Sequence, residues 1–180
     1  MTKSDIWPKL HVHPAASASQ EFEIPPLPRG IAIERVYADL MKYLMEHTRR
    51  FFEATTADGA EIWKRVRDTI VIVLATPNMW TIREQLTLRT AAIMASLVTE
   101  ENASQLLQFV TEAEGSVHYA LAQDHSKWLK NRTIFAVIDC GGSTVDTTVY
   151  RCLSTNPLGL TETCPSRCVQ VLQCVHSLRI

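Results

Sequence analysis

Apolar positions along this chain recur with a helical period first and a strand period later. Over 33–55, Val36, Leu40, Tyr43, Leu44 and His47 fall three and four apart, with Phe51 extending the stripe, which predicts an amphipathic helix. Glu34 near its start and Arg49 and Arg50 near its end suit the helix macrodipole, and the TTADG stretch through Gly59 closes it. Residues 61–67 predict a short helix or turn feeding a β-branched strand at 70–74, with Trp63 read as a packing anchor ahead of a ligand platform. Thr81 opens a helix running to about Leu97, and Glu84 completes its capping box. On it Ile82, Leu86 and Ile93 follow helical spacing, although Arg89 shares their face; Leu88, Ala92 and Ala95 offer a second face of small residues. A strand is predicted at 106–110 and a helix at 112–121, N-capped by Thr111 with Glu114 three positions on.

After a polar connector at 124–131 the period shortens. The run 134–138, rich in β-branched and aromatic residues, predicts a buried strand that ends at Asp139. Gly141, Gly142, Ser143 and Thr144 follow, and a second strand at 145–150 starts with Asp146 near its head. This makes a hairpin with two carboxylates at its tip. Residues 154–157 predict a turn, Leu158–Glu162 a third strand, and Cys164-Pro165 its end; the stretch 168–180 has no clean period and receives no element. Residues 1–30 hold prolines at 8, 14, 25, 26 and 28 and are expected to be an irregular lead-in, in which His11 and His13 are solvated. Helices alternating with strands, then a β-meander, place the chain in the α/β class.

Composition narrows the function classes. At 180 residues, 46% hydrophobic and 21% charged, the chain has material for one substantial core. A net charge of −1 without a basic stripe argues against nucleic acid. The longest apolar run, 70–75, is too short to span a bilayer and no targeting segment leads the chain, so no membrane partner is expected and the protein reads as soluble and cytoplasmic. Five cysteines lie at 140, 152, 164, 168 and 174. Cys164, Cys168, Cys174 and His176 come near zinc-ligand spacing but loosely; free thiols in a reducing compartment account for them with less.

The hairpin tip carries the most specific chemistry. Two glycines let backbone approach a ligand closely, successive amides can form an anion nest, and Ser143 and Thr144 add hydroxyls. Asp139 and Asp146 could hold Mg²⁺ through its waters. A purely structural alternative stands beside this: a tight hairpin in which the glycines only turn the chain and the aspartates cap nearby amides. Neither a Walker loop nor a G-x-G-x-x-G fingerprint is present.

The run IDCGGSTVD, 138–146, resembles the second phosphate motif of the actin-like ATPase superfamily in its Hsp70 form, a strand leading into D-x-G-G-G-T-x-D. Its continuation, DTTVYRCLSTNPLGL, is similar to the divergent Hsp70-like proteins of mushroom-forming fungi related to the heat-shock-70 family member 12 group. The resemblance implies that Asp139 and Asp146 lie near the Mg²⁺ and phosphates of ATP, and that Gly141, Gly142 and Thr144 form the phosphate-contacting turn. Ser143 stands where the third glycine is usual, removing backbone latitude and adding a β-carbon beside the phosphates. VTEAEGSVHYAL resembles the E-P-T-A-A-A segment that joins the two lobes, so Glu112 matches a carboxylate that supports the metal's waters, with Ala113 in place of proline. From the residues alone, Glu112 is a first-turn helix acid and His118 a packed core-edge histidine. The segment after Pro77 resembles a strand end leading into a helix that finishes near a family glycine, where this chain has Ser96.

The implied architecture is an incomplete actin-like ATPase (ribonuclease H-like) fold. It places the later part of a first lobe at 31–132 and the opening hairpin and meander of a second at 133–170, after the lead-in 1–30 and before an unassigned tail 171–180. Neither a first phosphate loop nor the adenosine-contacting region is recognisable. The expected function is an ATP-binding, ATP-hydrolysing domain fragment of a chaperone-type protein, weak or inactive. The alternative is a non-catalytic remnant that acts through a protein partner, or self-associates, by an exposed interlobe surface.

Overall fold

The computed structural model describes residues 8–12, 26–123, 128–141 and 144–170. Contacts divide the chain into two compact units, one holding 26–74 and 81–109 with the short helix α1 (Pro8–Val12), the other holding 75–80 and 110–170.

In the first unit, small side chains decide how the helices meet. Ala38 of α2 (Ile33–Thr55) packs against Ala91 and Ala95, within and at the end of α4 (Ile82–Met94), all but sealed from solvent and ringed by Tyr37, Met41 and Leu97. Alanine at the contact lets two backbones approach, so this face wins the core position over the larger apolar stripe. That stripe turns outward: Leu40, Tyr43, Leu44 and Phe51 are exposed, Phe51 by 71%. Periodicity finds the helix, but a helix apolar on two sides leaves its phase to the neighbour. The same holds on α4, where Ile82 and Leu86 are exposed while Leu88, Ala91 and Ala92 are buried.

Both ends of α4 are closed by local bonds. Glu84 accepts from the Thr81 amide and hydroxyl at 2.7 Å each, and the Thr81 hydroxyl accepts from the Arg83 amide, making a capping box worth about 1 kcal/mol. At the C-terminus Ser96 takes a left-handed φ of 57°, its amide donating to Ile93 O and that of Leu97 to Ala92 O. This is a Schellman close with serine in the place glycine prefers. The helix therefore ends at Met94, short of the predicted Leu97.

After α2, α3 (Gly59–Val66) turns back on it. A β-carbon at Gly59 would sit 2.8 Å from Phe52 O, so the turn admits no side chain there. Trp63 packs its ring 5.8 Å from that of Phe52, the anchor role. A 3₁₀ turn, Arg67–Thr69, leads to β1 (Ile72–Thr76), which pairs with β2 (Leu107–Thr111). A four-residue helix, α5 (Ala103–Leu106), takes the position predicted to begin β2. Thr99 and Asn102 hold its entry by exchanging amide-to-side-chain bonds. Ala92, Val98, Ala103 and Leu107 form a second core with Ile72, Leu74 and Phe109 around it; burying side chains the size of Val98 and Leu107 contributes about 1.5–3 kcal/mol each. Arg89 survives beside this core because its guanidinium donates to Ala103 O at 2.8 Å and lies 5.6 Å from the Phe109 ring centre.

Two lead-in expectations change. Residues 8–12 are helical, with Pro8 at the first position, where its missing amide costs nothing, and Val12 is buried. His11 is half-buried rather than solvated, while His13 lies outside the described residues. Among the described residues no helix is long and apolar enough to cross a membrane.

The second unit is a four-stranded sheet behind α6 (Glu112–Ala122). Thr111 caps α6 by accepting from the Glu114 amide at 3.1 Å. Strands β3 (Ile134–Cys140) and β4 (Thr144–Thr155) pair antiparallel from Ile134↔Arg151 to Cys140↔Val145. The far edge of β4 is shared end to end: β5 (Leu158–Glu162) pairs with 150–155 and β6 (Arg167–Gln170) with 144–147. A bulge leaves Leu153 out of the β4–β5 register. Ser154 and Thr155, predicted as turn, belong to β4, and the stretch from 168, left unassigned, begins inside β6. The predicted buried strand is buried on one face only: Phe135, Val137 and Asp139 are half-buried, whereas Ile134, Ala136, Ile138 and Cys140 are exposed. A continuous apolar run does not reveal that only alternate residues find a partner layer.

Candidate functional site

Register places Asp139 directly across from Asp146 on the half-buried face of the sheet. The Gly141 amide donates to Thr144 O at 2.9 Å, and the Cys152 amide to Thr133 O at 2.9 Å. Counting in steps of two from either bond makes Asp139–Asp146 one of the hydrogen-bonded pairs, with α-carbons about 5.5 Å apart. Two carboxylates so placed repel by an amount on the order of 1–3 kcal/mol when partly solvated. Thr144 is buried and donates its hydroxyl to Asp146 Oδ2 at 3.1 Å. Asp146 Oδ1 is also buried and has no hydrogen-bond partner among the described residues. An orphaned carboxylate oxygen beside a second carboxylate is a costly arrangement for the chain alone, and one that a hydrated divalent cation would relieve.

The remaining expected site residues fall as follows. A β-carbon added to Gly141 would meet Thr144 O at 3.2 Å, so this position stays tight against the opposite strand. Gly142 and Ser143 lie outside the described residues. Glu112 is the first residue of α6 and half-buried, but among the described residues no three His, Cys, Asp or Glu side chains converge as metal ligands. The structure thus brings Asp139 and Asp146 together without gathering Glu112 into a ligand set. His118, expected at the core edge, is exposed, because Ala113 and Val117 take the buried face of α6. Cys140, Cys152 and Cys164 are free thiols, and the looser zinc set that needs Cys174 and His176 extends outside the described residues.

A polar network on the same sheet face was not foreseen. Asn78, just beyond β1, donates its amide to Tyr150 Oη at 2.7 Å and Glu162 Oε1 at 3.1 Å, and accepts from the Ala113 amide at 3.3 Å. Thr148 and Ser166 share a 2.9 Å hydrogen bond, and Ser166 donates to Glu162 at 3.4 Å. Two further buried groups in this unit, Thr76 Oγ1 and Trp80 Nε1, have no hydrogen-bond partner among the described residues. Nothing in a linear pattern ties residue 78 to residues 150 and 162.

An open cleft of about 450 Å³ in the first unit is lined by Trp63, Ile70, Leu106 and charged side chains. Its rim is self-paired among the described residues, Arg49 with Glu46 and Glu53, Arg67 with Asp68. No protein-family model matches the chain, and no curated protein matches its sequence.

Proposed function

We propose that the hairpin carrying Asp139 and Asp146 is the Mg²⁺–phosphate contact of an Hsp70-like, actin-like ATPase fold, and that the protein binds Mg-ATP weakly with little or no turnover. The observation that carries this reading is the facing carboxylate pair with a buried, unpartnered Asp146 Oδ1. Asp139 and Asp146 would hold the hydrated cation beside the phosphate-contacting turn, a role for Glu112 resting on the resemblance alone. Bound Mg²⁺ supplies neutralisation of the phosphate oxygens. Weak binding follows from donors already engaged: the Gly141 amide serves Thr144 O, and the Thr144 hydroxyl serves Asp146. A cytoplasmic location fits the free thiols at 140, 152 and 164.

A second reading, a non-catalytic protein acting through protein contacts, is favoured by Ile134, Ile138 and Val169, each more than half exposed on the sheet. Calorimetric titration of the purified chain with Mg-ATP separates the two. Saturable binding, weakened at least about tenfold in Asp139→Ala, is the expected result. A folded sample that produces no heat sinks the nucleotide reading and leaves the second.

A further inference from the structure

We infer that the outer edge of β3 pairs with the β3 edge of a second copy of this chain. The two edges of the sheet differ. On the far side of β4 the edge is broken between two short strands, β5 and β6, with Leu153 bulged and prolines at 157 and 165 near their ends. Such breaks are how sheets avoid edge-to-edge pairing. On the near side β3 runs for seven residues, IFAVIDC, without proline, lysine or bulge. Among the described residues no strand pairs with it there.

Backbone phase makes this edge a template. Odd-numbered residues of β3 bond to β4, as the bonds at Thr133 and Gly141 require, so the amides and carbonyls of Ile134, Ala136, Ile138 and Cys140 point away from β4. Their side chains share the exposed sheet face, Ile134 at 56% and Ile138 at 62%. What satisfies a row of outward peptide groups flanked by apolar side chains is another extended, apolar strand.

The chain supplies one that matches itself. An antiparallel pairing with its two-fold axis at Val137 sets Ile134 against the second copy's Cys140, and Ala136 against its Ile138. On the other face it sets Asp139 against Phe135. The sole charge on β3 therefore never meets its own copy, and every outward peptide group finds a partner. This closed, isologous arrangement stops at two copies, because the opposite sheet edge is blunted. It holds whether or not the hairpin takes nucleotide.

Sedimentation or light-scattering mass of the full chain across a concentration series tests it, with Ala136→Pro and Ile138→Lys alongside. Proline at 136 deletes an outward amide and spares the ladder to β4; lysine at 138 leaves the backbone untouched and charges the contact. The wild-type chain should be a dimer, and each variant should weaken dimerisation by about tenfold or more with unchanged far-UV circular dichroism. A wild-type monomer at its highest soluble concentration overturns the proposal, as does a folded Ala136→Pro that remains dimeric. Should Ala136→Pro fail to fold, persistence of the Ile138→Lys dimer overturns it equally.

Discussion

Glu84 at the head of α4 and Asp146 at the head of β4 are both carboxylates withdrawn from solvent, and the chain treats them in opposite ways. Glu84 is only 7% exposed, and burial pushes its carboxyl up. The hydrogen bonds from the Thr81 hydroxyl and amide outweigh this, and the net result lies below the ordinary carboxylate value. Among the described residues Asp146 has a bond from Thr144, a buried oxygen without a partner, and a like charge opposite. A carboxylate that closes its own bonds is a structural part. Among the described residues, Asp146 is the one of the two that leaves a buried oxygen without a bond.

The largest expected effect tests whether the rest of that sheet face is closed. Asn78→Ala would strand the Ala113 amide and remove the partner shared by Tyr150 and Glu162, so urea denaturation should show a loss of about 2–3 kcal/mol. A loss under about 0.5 kcal/mol would mean the whole face is loosely bonded and Asp146 is not special there. Next comes Glu84→Ala, expected to cost about 1–2 kcal/mol at neutral pH. Because the folded carboxyl titrates below its unfolded value, Glu84 contributes fully above the unfolded value of about 4.3 and loses its contribution as pH falls through the folded one. The gap between wild type and variant should therefore close in acid. The smallest stability effect belongs to Asp146→Asn, within about 0.5 kcal/mol of wild type in magnesium-free buffer, since relief of repulsion offsets the altered Thr144 bond. Added Mg²⁺ should raise the melting temperature of wild type and not of this variant. If Asp146→Asn instead costs as much as Glu84→Ala, Asp146 is structural and the contrast fails.

Local signals were legible and neighbours were not. The Thr81–Glu84 box, the Thr111 cap and the hairpin around 141–144 each rest on residues within four positions of one another, and each is present. Periodicity does not reveal the core face of α2, because Leu40 and Phe51 exceed Ala38 in size while the deciding partners, Ala91 and Ala95, lie more than fifty residues further on. The β3 run was read as buried because hydrophobicity does not say which face receives α6. At the site, the motif located Asp139 and Asp146, but their direct opposition is a property of register, and the Asn78 network is a property of the fold.

The hairpin also has a place in time. Only residues 142–143 separate the ends of its closing bond, whereas 77–106 must be gathered before β1 meets β2. Loop-closure entropy makes the longer search dearer by roughly 2 kcal/mol, and isolated hairpins close in about 1–10 μs. That difference predicts that Asp139 and Asp146 meet early, before β1 finds β2. Their repulsion is then expected to slow refolding as well as to load the finished sheet, so the refolding rate of the second unit should rise with ionic strength in stopped-flow measurements.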